Sequence, residues 1–594
     1  MKNLLFFCLL NFIIASGNTI FGQDTIRQIK ILKSQTYLNF PVNETNKLTR
    51  TKIICKGKIV DQFTIKLATE NPDYWVFFDV TPYQGKTITV QISKSEIPER
   101  GAFSNIAGMN KKNVNKEANE DRTKGLKLVF ADSGFPGQDS IYKEVARPQV
   151  HFSSRRGWLN DPNGLIYYND EYHLFYQHNP YGWAWGNMHW GHATSKDLLH
   201  WKELPQALYP MGSRDAAFSG SAVIDSRNTA GFRKNGIDPL IAVYTSTGRG
   251  ECLKLSYDNG ITFEEYEGNP ILKHKGRDPK VFWYQPGNHW VMIVWDNGRT
   301  KSISLGQEAI INQHLIYTSA DLKSWTYQSG VEGFFECPEL FELPVDGKQG
   351  VFKWVMYDAT GRYMLGDFNG KKFTTTQHLK QYDYGGGYFY ASQTYNNAPD
   401  NRRIQIGWGR GITHPGMPFN QAMLFPTELK LKETFDGLRL CPTPIKEIAL
   451  LHKKSQSFKN KIIKTNSGLN IPVSEDALHV IAEFEKGDAT ELGLNILGCN
   501  LSYNDLIGEF KIILEAPGII TNYIKPQTEI LKIEAIIDKN IIEVFVNDGE
   551  LYYVLPFDGE KNGKIDVFIK GGGSDRKTIL KKIDVYELNS IWKS

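Results

Sequence analysis

Cysteine is scarce: six residues in 594, and one of them, Cys8, falls inside the first apolar run. The other five, Cys55, Cys252, Cys337, Cys441 and Cys499, are odd in number, widely spaced and without a CxxC pair, which argues against a disulfide framework and against a cysteine metal site. Dense basic blocks are also missing. The net charge is only +4, and the lysines and arginines are scattered, so neither a polyanionic partner nor nucleic acid is indicated. Long apolar stretches are absent after the opening residues. There, Lys2 precedes an apolar run from Leu4 to Ile14, broken only by Asn11, and then the small residues Ala15-Ser16-Gly17, the pattern of a signal peptide over residues 1–22. The run is too short to span a bilayer. The chain is expected to be secreted or periplasmic, with no membrane insertion after cleavage near Gly17 or Gly22.

At 594 residues the chain exceeds one hydrophobic core, which stops growing near roughly 250–300 residues. From Thr25 to about Ile97 short alternating runs such as Thr87-Ile88-Thr89-Val90-Gln91-Ile92 predict a small β-rich domain, placed with its linker at 23–145. Residues 110–124 hold almost nothing apolar and read as an exposed loop or linker. In the middle, Thr194-Ser195-Lys196-Asp197-Leu198-Leu199-His200-Trp201 returns as Thr318-Ser319-Ala320-Asp321-Leu322-Lys323-Ser324-Trp325, with a related turn at Ser256-Tyr257-Asp258-Asn259-Gly260-Ile261-Thr262-Phe263. The intervals are 61 residues from Ser195 to Ser256 and 63 from Ser256 to Ser319. A period of about 62 fits one four-stranded blade, and residues 146–445 hold close to five such units. An all-β, five-bladed propeller follows from this, with a sandwich of recurrent hairpins as the competing reading. After Pro444, strands such as Ile541-Ile542-Glu543-Val544-Phe545-Val546, ended by Asn547-Asp548-Gly549, predict a C-terminal β-sandwich over 446–594.

The repeat brings distant motifs into register. Ser219, in Phe218-Ser219-Gly220-Ser221, lies 24 residues after Ser195; Asp278, in Arg277-Asp278-Pro279, lies 22 after Ser256; and Glu336, in Glu336-Cys337-Pro338-Glu339, lies 17 after Ser319. Asp161, in Trp158-Leu159-Asn160-Asp161-Pro162-Asn163-Gly164, opens the first blade. Equivalent positions on the inner strands of a propeller face one axis. Taken singly, Asp-Pro-Asn-Gly is a good turn, Arg277-Asp278 a local ion pair and Glu336 a strand-end charge. Together they place three carboxylates at one end of the axis, and cleavage of a glycosidic bond calls for such a set: one group to protonate the leaving oxygen, one to attack or to activate water.

These four motifs, in this order and spacing, resemble glycoside hydrolase family 32, the invertase, inulinase and levanase group, over about residues 146–594. The resemblance implies a retaining β-fructofuranosidase that removes terminal fructose from fructans or fructo-oligosaccharides, levan or inulin, and from sucrose. A fructosyltransferase using the same covalent intermediate, or an inactive fructan-binding protein, are the alternatives. Asp161 is then the nucleophile, Glu336 the acid/base and Asp278 the stabiliser of the developing ring charge. Nucleophile and acid are expected roughly 5–5.5 Å apart, Asp161 raising the pKa of Glu336 and Arg277 favouring an ionised Asp278. The family also implies a sugar-binding shell of Asn160, Gln177, Trp185, Phe218, Ser219 and Arg277, with no metal and no cofactor. The residues alone leave open which of Trp183, Trp185 and Trp190 faces the pocket. Cys337 is read as a packed neighbour, and His189 and His192 as structural. The pattern departs at Asp383-Tyr384-Gly385-Gly386-Gly387-Tyr388-Phe389-Tyr390, where many relatives carry a further aspartate, so the leaving-group wall of the pocket is not carried over.

Overall fold

The computed structural model describes residues 25–93 and 122–592, apart from short breaks at 213, 305–306, 349, 466–467, 560–562 and 572–576. The expected signal peptide, and the expected linker up to residue 121, lie outside these residues. The last linker positions instead open a short helix, Arg122–Leu128, because Leu126 reaches the core beside it.

The N-terminal domain is two antiparallel sheets. One runs in the order Thr25–Lys30, Thr87–Ile92, Thr49–Cys55, Lys58–Ile65; the other Tyr74–Asp79, Tyr37–Val42, Phe130–Asp132. Alternation along Thr87–Ile92 turns Ile88, Val90 and Ile92 inward, onto Phe40, Phe63, Val76 and Phe78.

Five sheets of four or five strands follow and form a β-propeller, the first strand of each being Gly157–Tyr168, Ala217–Ile224, Arg277–Tyr284, Glu339–Pro344 and Phe389–Thr394 in blades 1 to 5. These first strands are laced together along the axis by buried polar groups. Ser221 Oγ accepts from Val281 N–H (2.9 Å) and donates to the Pro279 carbonyl (2.8 Å). Gln393 donates to Gly220 O (2.9 Å) and accepts from Leu165 N–H (3.2 Å). Lys280 Nζ donates to Thr394 O (2.6 Å) and pairs with Glu339 at 2.9 Å. An ion pair so buried adds little net stability, but removing one partner strands the other. The ring closes where Phe419–Asn420 runs parallel to Gly157 and Trp158. Gly157 has a φ of 75°, and a Cβ there would lie 2.1 Å from the Asn179 carbonyl oxygen, so glycine is required at the seam.

The repeated sequence is the turn between the third and fourth strands of blades 1 to 3. Asp197, Asp258 and Asp321 each accept from the preceding Ser195, Ser256 or Ser319 hydroxyl at 2.8–3.0 Å and from backbone N–H groups beyond. Blade 4 has the same turn with Asn369 in that role, accepting from Lys371 and Lys372 N–H. Its serine and tryptophan are gone, which is why the repeat fades in the sequence.

After blade 5, two six-stranded sheets form the C-terminal sandwich, with a core of aliphatic residues from both. Its joint to the propeller is polar and fully buried: His151 bonds Asp538 through Nδ1 and Glu543 through Nε2, both at 2.9 Å.

Candidate active site

One backbone device aims the side chains at the mouth of the propeller. Each first strand carries a one-residue β-bulge near its start, seen as register shifts between Leu159 and Pro162, Ala217 and Gly220, Arg277 and Lys280, and Tyr390 and Gln393. In blade 4 the same offset separates the Glu336 to Ala359 hydrogen bond from the Glu339 to Tyr357 pairing. A bulge leaves residues unpaired and re-aims them. The equivalent positions are thus Leu159, Ala217, Arg277, Glu336 and Tyr390; then Asn160, Phe218, Asp278, Cys337 and Ala391; then Asp161, Ser219, Pro279, Pro338 and Ser392. In the middle row, Asp278, Cys337 and Ala391 sit at φ of 66°, 50° and 49°, a left-handed conformation that side-chain-bearing residues adopt at a cost and that concentrates at functional sites.

The three expected carboxylates converge there. Asp161 accepts from Ser219 Oγ at 2.6 Å and from Asn160 Nδ2 at 3.0 Å, and the Asn160 carbonyl is itself fixed by Trp158 Nε1 at 2.9 Å. Cys337 joins the acids: its thiol lies 3.8 Å from Asp161 and 3.7 Å from Asp278, and its N–H donates to Asp278 at 3.3 Å. Arg277 donates to one oxygen of Glu336, and Tyr390 donates to the other at 3.2 Å. The Arg277 guanidinium lies over Trp295, 4.3 Å from the ring centre, which helps hold it in place.

Burial pushes the Glu336 carboxyl above its usual range; Arg277 opposes this and the Asp161 charge reinforces it. Asp278 departs from expectation. Arg277 Nε is 3.6 Å from it, yet burial outweighs the guanidinium, and with Glu336 and Asp161 close by the Asp278 carboxyl is pushed up to about 8. Three acids share one guanidinium whose direct bond goes to Glu336. The cluster therefore keeps a proton that belongs to the coupled acids jointly rather than to one residue. The Cys337 thiol is raised well above its usual value by burial and by Asp278, so it is a neutral neighbour, not a nucleophile.

The expected shell divides. Asn160, Ser219 and Arg277 touch the acids directly. Trp185 is 41% exposed and meets Phe218 edge to face at 6.0 Å, whereas Trp190 is buried, donating to Phe218 O, and Trp183 donates to Phe419 O. Gln177 is buried behind the mouth, its amide donating to Ala217 O at 3.0 Å; it supports the blade 2 bulge. His192 stacks on His173, and His189 faces Asp61. Asp383 pairs through its backbone with Tyr552 of the sandwich, and its carboxylate accepts from Gly385 N–H at 3.1 Å. Arg410 lies over the Tyr390 ring, 4.3 Å from its centre.

A support not anticipated from the sequence lies behind Asp278. Thr245 Oγ accepts from Asp278 N–H (2.9 Å) and donates to Glu251 (2.8 Å); Glu251 bonds His274 Nε2 (2.6 Å), and His274 Nδ1 accepts from Gly276 N–H (3.0 Å). No motif marks these residues, because each acts through another. Tyr390 was findable as the blade 5 counterpart of Glu336, had the repeat been traceable that far. Among the described residues, no group of three or more His, Cys, Asp or Glu side chains is arranged to hold a metal ion.

Comparison with known proteins agrees with this geometry. The chain is 35% identical over 522 residues to a levanase of Bacillus subtilis, covering 79% of this chain and 74% of that one. It is 32% identical over 469 residues to an extracellular exo-inulinase of Meyerozyma guilliermondii, covering 68% and 88%. The exo-inulinase structure from Aspergillus awamori superposes with a TM-score of 0.67 at 26% identity, taking in 76% of this chain and all of that one. A domain of unknown function, DUF4980, matches residues 23–122. The profile described as glycosyl hydrolases family 32 N-terminal domain matches residues 151–444 and the family's C-terminal profile matches 447–587, so the chain belongs to glycoside hydrolase family 32 and is a glycoside hydrolase.

Proposed function

We propose that this enzyme is an exported, retaining β-fructofuranosidase that releases terminal fructose from fructans, with Asp161 as nucleophile, Glu336 as acid/base and Asp278 as stabiliser. The observation that carries the reading is the pair of environments at the mouth. Asp161 is held by two donors, Ser219 and Asn160, while Glu336 is buried and inclined to keep its proton. Asp161 attacks the anomeric carbon of the fructosyl unit as Glu336 gives its proton to the glycosidic oxygen, and the leaving sugar departs. The fructosyl ester is then attacked by water, which passes a proton to Glu336, freeing fructose and restoring the Asp161 carboxylate. Asp278, held from behind by Thr245, is placed for ring hydroxyls and for the positive charge that develops.

Two inversions at one carbon keep the β configuration, so rapid NMR of the first-formed fructose must find the β anomer; an early α anomer sinks the covalent route. The acids sit at the bulged starts of the propeller's first strands, and inner strands that converge on one axis suit a site for one terminal sugar. The pairing of Arg299 with Ile311 and of Thr300 with Ile310 continues the blade 3 hairpin beyond Trp295, the partner of Arg277. Relatives named levanase and exo-inulinase make levan and inulin the substrates to assay first, beside sucrose. Early products consisting of free fructose alone support exo action; an oligosaccharide ladder at low conversion refutes it.

A further inference from the structure

We propose that the N-terminal domain is a positioning element of the substrate pocket, acting by clamping loop 181–187 and so fixing Trp185 at the pocket entrance. The family profiles begin at residue 151, so this domain is an addition to the catalytic body. It touches that body at several places, among them Arg155 over Phe77, Arg156 over Phe135 and His189 facing Asp61, and one of its contacts is with loop 181–187. Tyr181 of the propeller is buried inside the N-terminal domain's own hydrophobic cluster, among Phe40, Phe63 and Ile65. Its ring stacks on Phe63 at 3.6 Å, and its hydroxyl donates to Asp61 at 2.5 Å. Six residues on, Asn187 exchanges two hydrogen bonds with the Thr64 backbone: its carbonyl accepts from Thr64 N–H (2.8 Å) and its amide donates to Thr64 O (2.7 Å). Between these anchors, Trp183 N–H donates to Glu44 at 3.3 Å.

The other side of the loop is held by the propeller. Asn179 donates to Ala184 O at 2.8 Å, and Asn420, on the strand that closes the ring, donates to Trp183 O at 3.0 Å. The loop is thus gripped from both sides at 181, 183 and 187, while Trp185 at its crest is exposed beside Phe218, one residue from the Ser219 that holds Asp161. An indole presented this way offers an apolar face to a sugar ring. Such a ring binds well only if its position is fixed before the sugar arrives.

This inference rests on the fructosidase reading, and the experiment separates the two. In the full chain, Tyr181→Ala is expected to raise KM for a short fructo-oligosaccharide by about tenfold while kcat stays within about twofold; Tyr181→Phe, which keeps the ring, recovers most of the loss. In a Trp185→Ala background Tyr181→Ala should add nothing, since both act through the same indole. Asp61→Asn, milder for folding, is expected to raise KM in the same direction and to speed amide exchange at 182–187. An unchanged KM in Tyr181→Ala and Asp61→Asn, or full additivity with Trp185→Ala, overturns the proposal. A wild-type chain that releases no fructose from levan, inulin or sucrose overturns the fructosidase reading itself, and this inference with it.

Discussion

Two buried clusters of acids bracket the propeller, and they are put together differently. At the mouth Asp161, Asp278 and Glu336 face Arg277; at the joint with the sandwich Asp538 and Glu543 face His151. The joint carboxylates are saturated. Asp538 accepts from the N–H groups of Gln149, Val150 and His151, and Glu543 from Phe425 N–H and the Tyr552 hydroxyl, so Asp538 is held below its usual range and His151 is raised to about 9. At the mouth the donors are too few, and Asp278 and Glu336 are raised instead. On the function proposed above, the difference separates a structural carboxylate from a reactive one: the first has its charge fully answered by the fold, the second keeps a proton it can give away.

The contrast is tested most severely by activity. Asp161→Asn and Glu336→Gln are expected to cut kcat on a fructo-oligosaccharide roughly a thousandfold or more while the melting temperature holds, because each removes a bond-making or proton-transfer role. Near-full activity in Glu336→Gln would move the acid elsewhere. At the joint the expectation reverses. His151→Ala should lower the unfolding free energy by about 3–5 kcal/mol, since it strands two buried carboxylates, yet leave kcat of the folded enzyme within about twofold; denaturant titration with parallel activity decides it.

A subtler test sets the sign of stability. Burial, with Glu336 and Asp161 close by, pushes Asp278 up to about 8 as part of the coupled cluster, so holding that cluster costs stability progressively as pH rises from about 4 towards 8. Asp278→Asn should therefore inactivate the enzyme and, near pH 8, raise the melting temperature by about 2 °C, whereas Asp538→Asn lowers it. If both variants melt lower, the mouth is no more frustrated than the joint. The His151 contribution to the joint is present in full below about pH 6.5 and is lost as pH climbs through its folded value of about 9, while that of Asp538, held below its usual range, is lost in acid. Activity should fall first on the alkaline side, as the mouth loses its proton, and the melting temperature afterwards. The smallest effect belongs to Cys337→Ala. With a thiol kept neutral by burial and only long contacts to Asp161 and Asp278, its loss should cost less than about tenfold in kcat, and wild-type enzyme should resist iodoacetamide at neutral pH.

Much of this was legible in the chain, for identifiable reasons. The turn at Ser195, Ser256 and Ser319 repeats because three blades build the same aspartate cap, so the period and the blade count followed. The acids were legible because Pro162, Pro279 and Pro338 follow them at bulges, and short motifs survive where backbone and chemistry constrain the same residues. What escaped works at a distance in sequence. The chain from Thr245 through Glu251 to His274 has no spacing of its own, and the ionisation of Asp278 depends on how deeply it is buried, which adjacency to Arg277 does not reveal. Gln177 lies buried beside the blade 2 bulge, a support that its sequence neighbours do not reveal.

The five bulges give the catalytic end a modular grammar. Each blade offers three consecutive positions whose direction is set by backbone geometry before any side chain is chosen, so replacing one residue leaves its fourteen counterparts pointing where they did. Chemistry at the mouth is in that sense written on a dial, one sector per blade. Ala217, Ala391 and Ser392 carry no charge and are all buried, so on blades 2 and 5 these positions serve the ring itself and leave the chemistry to their neighbours.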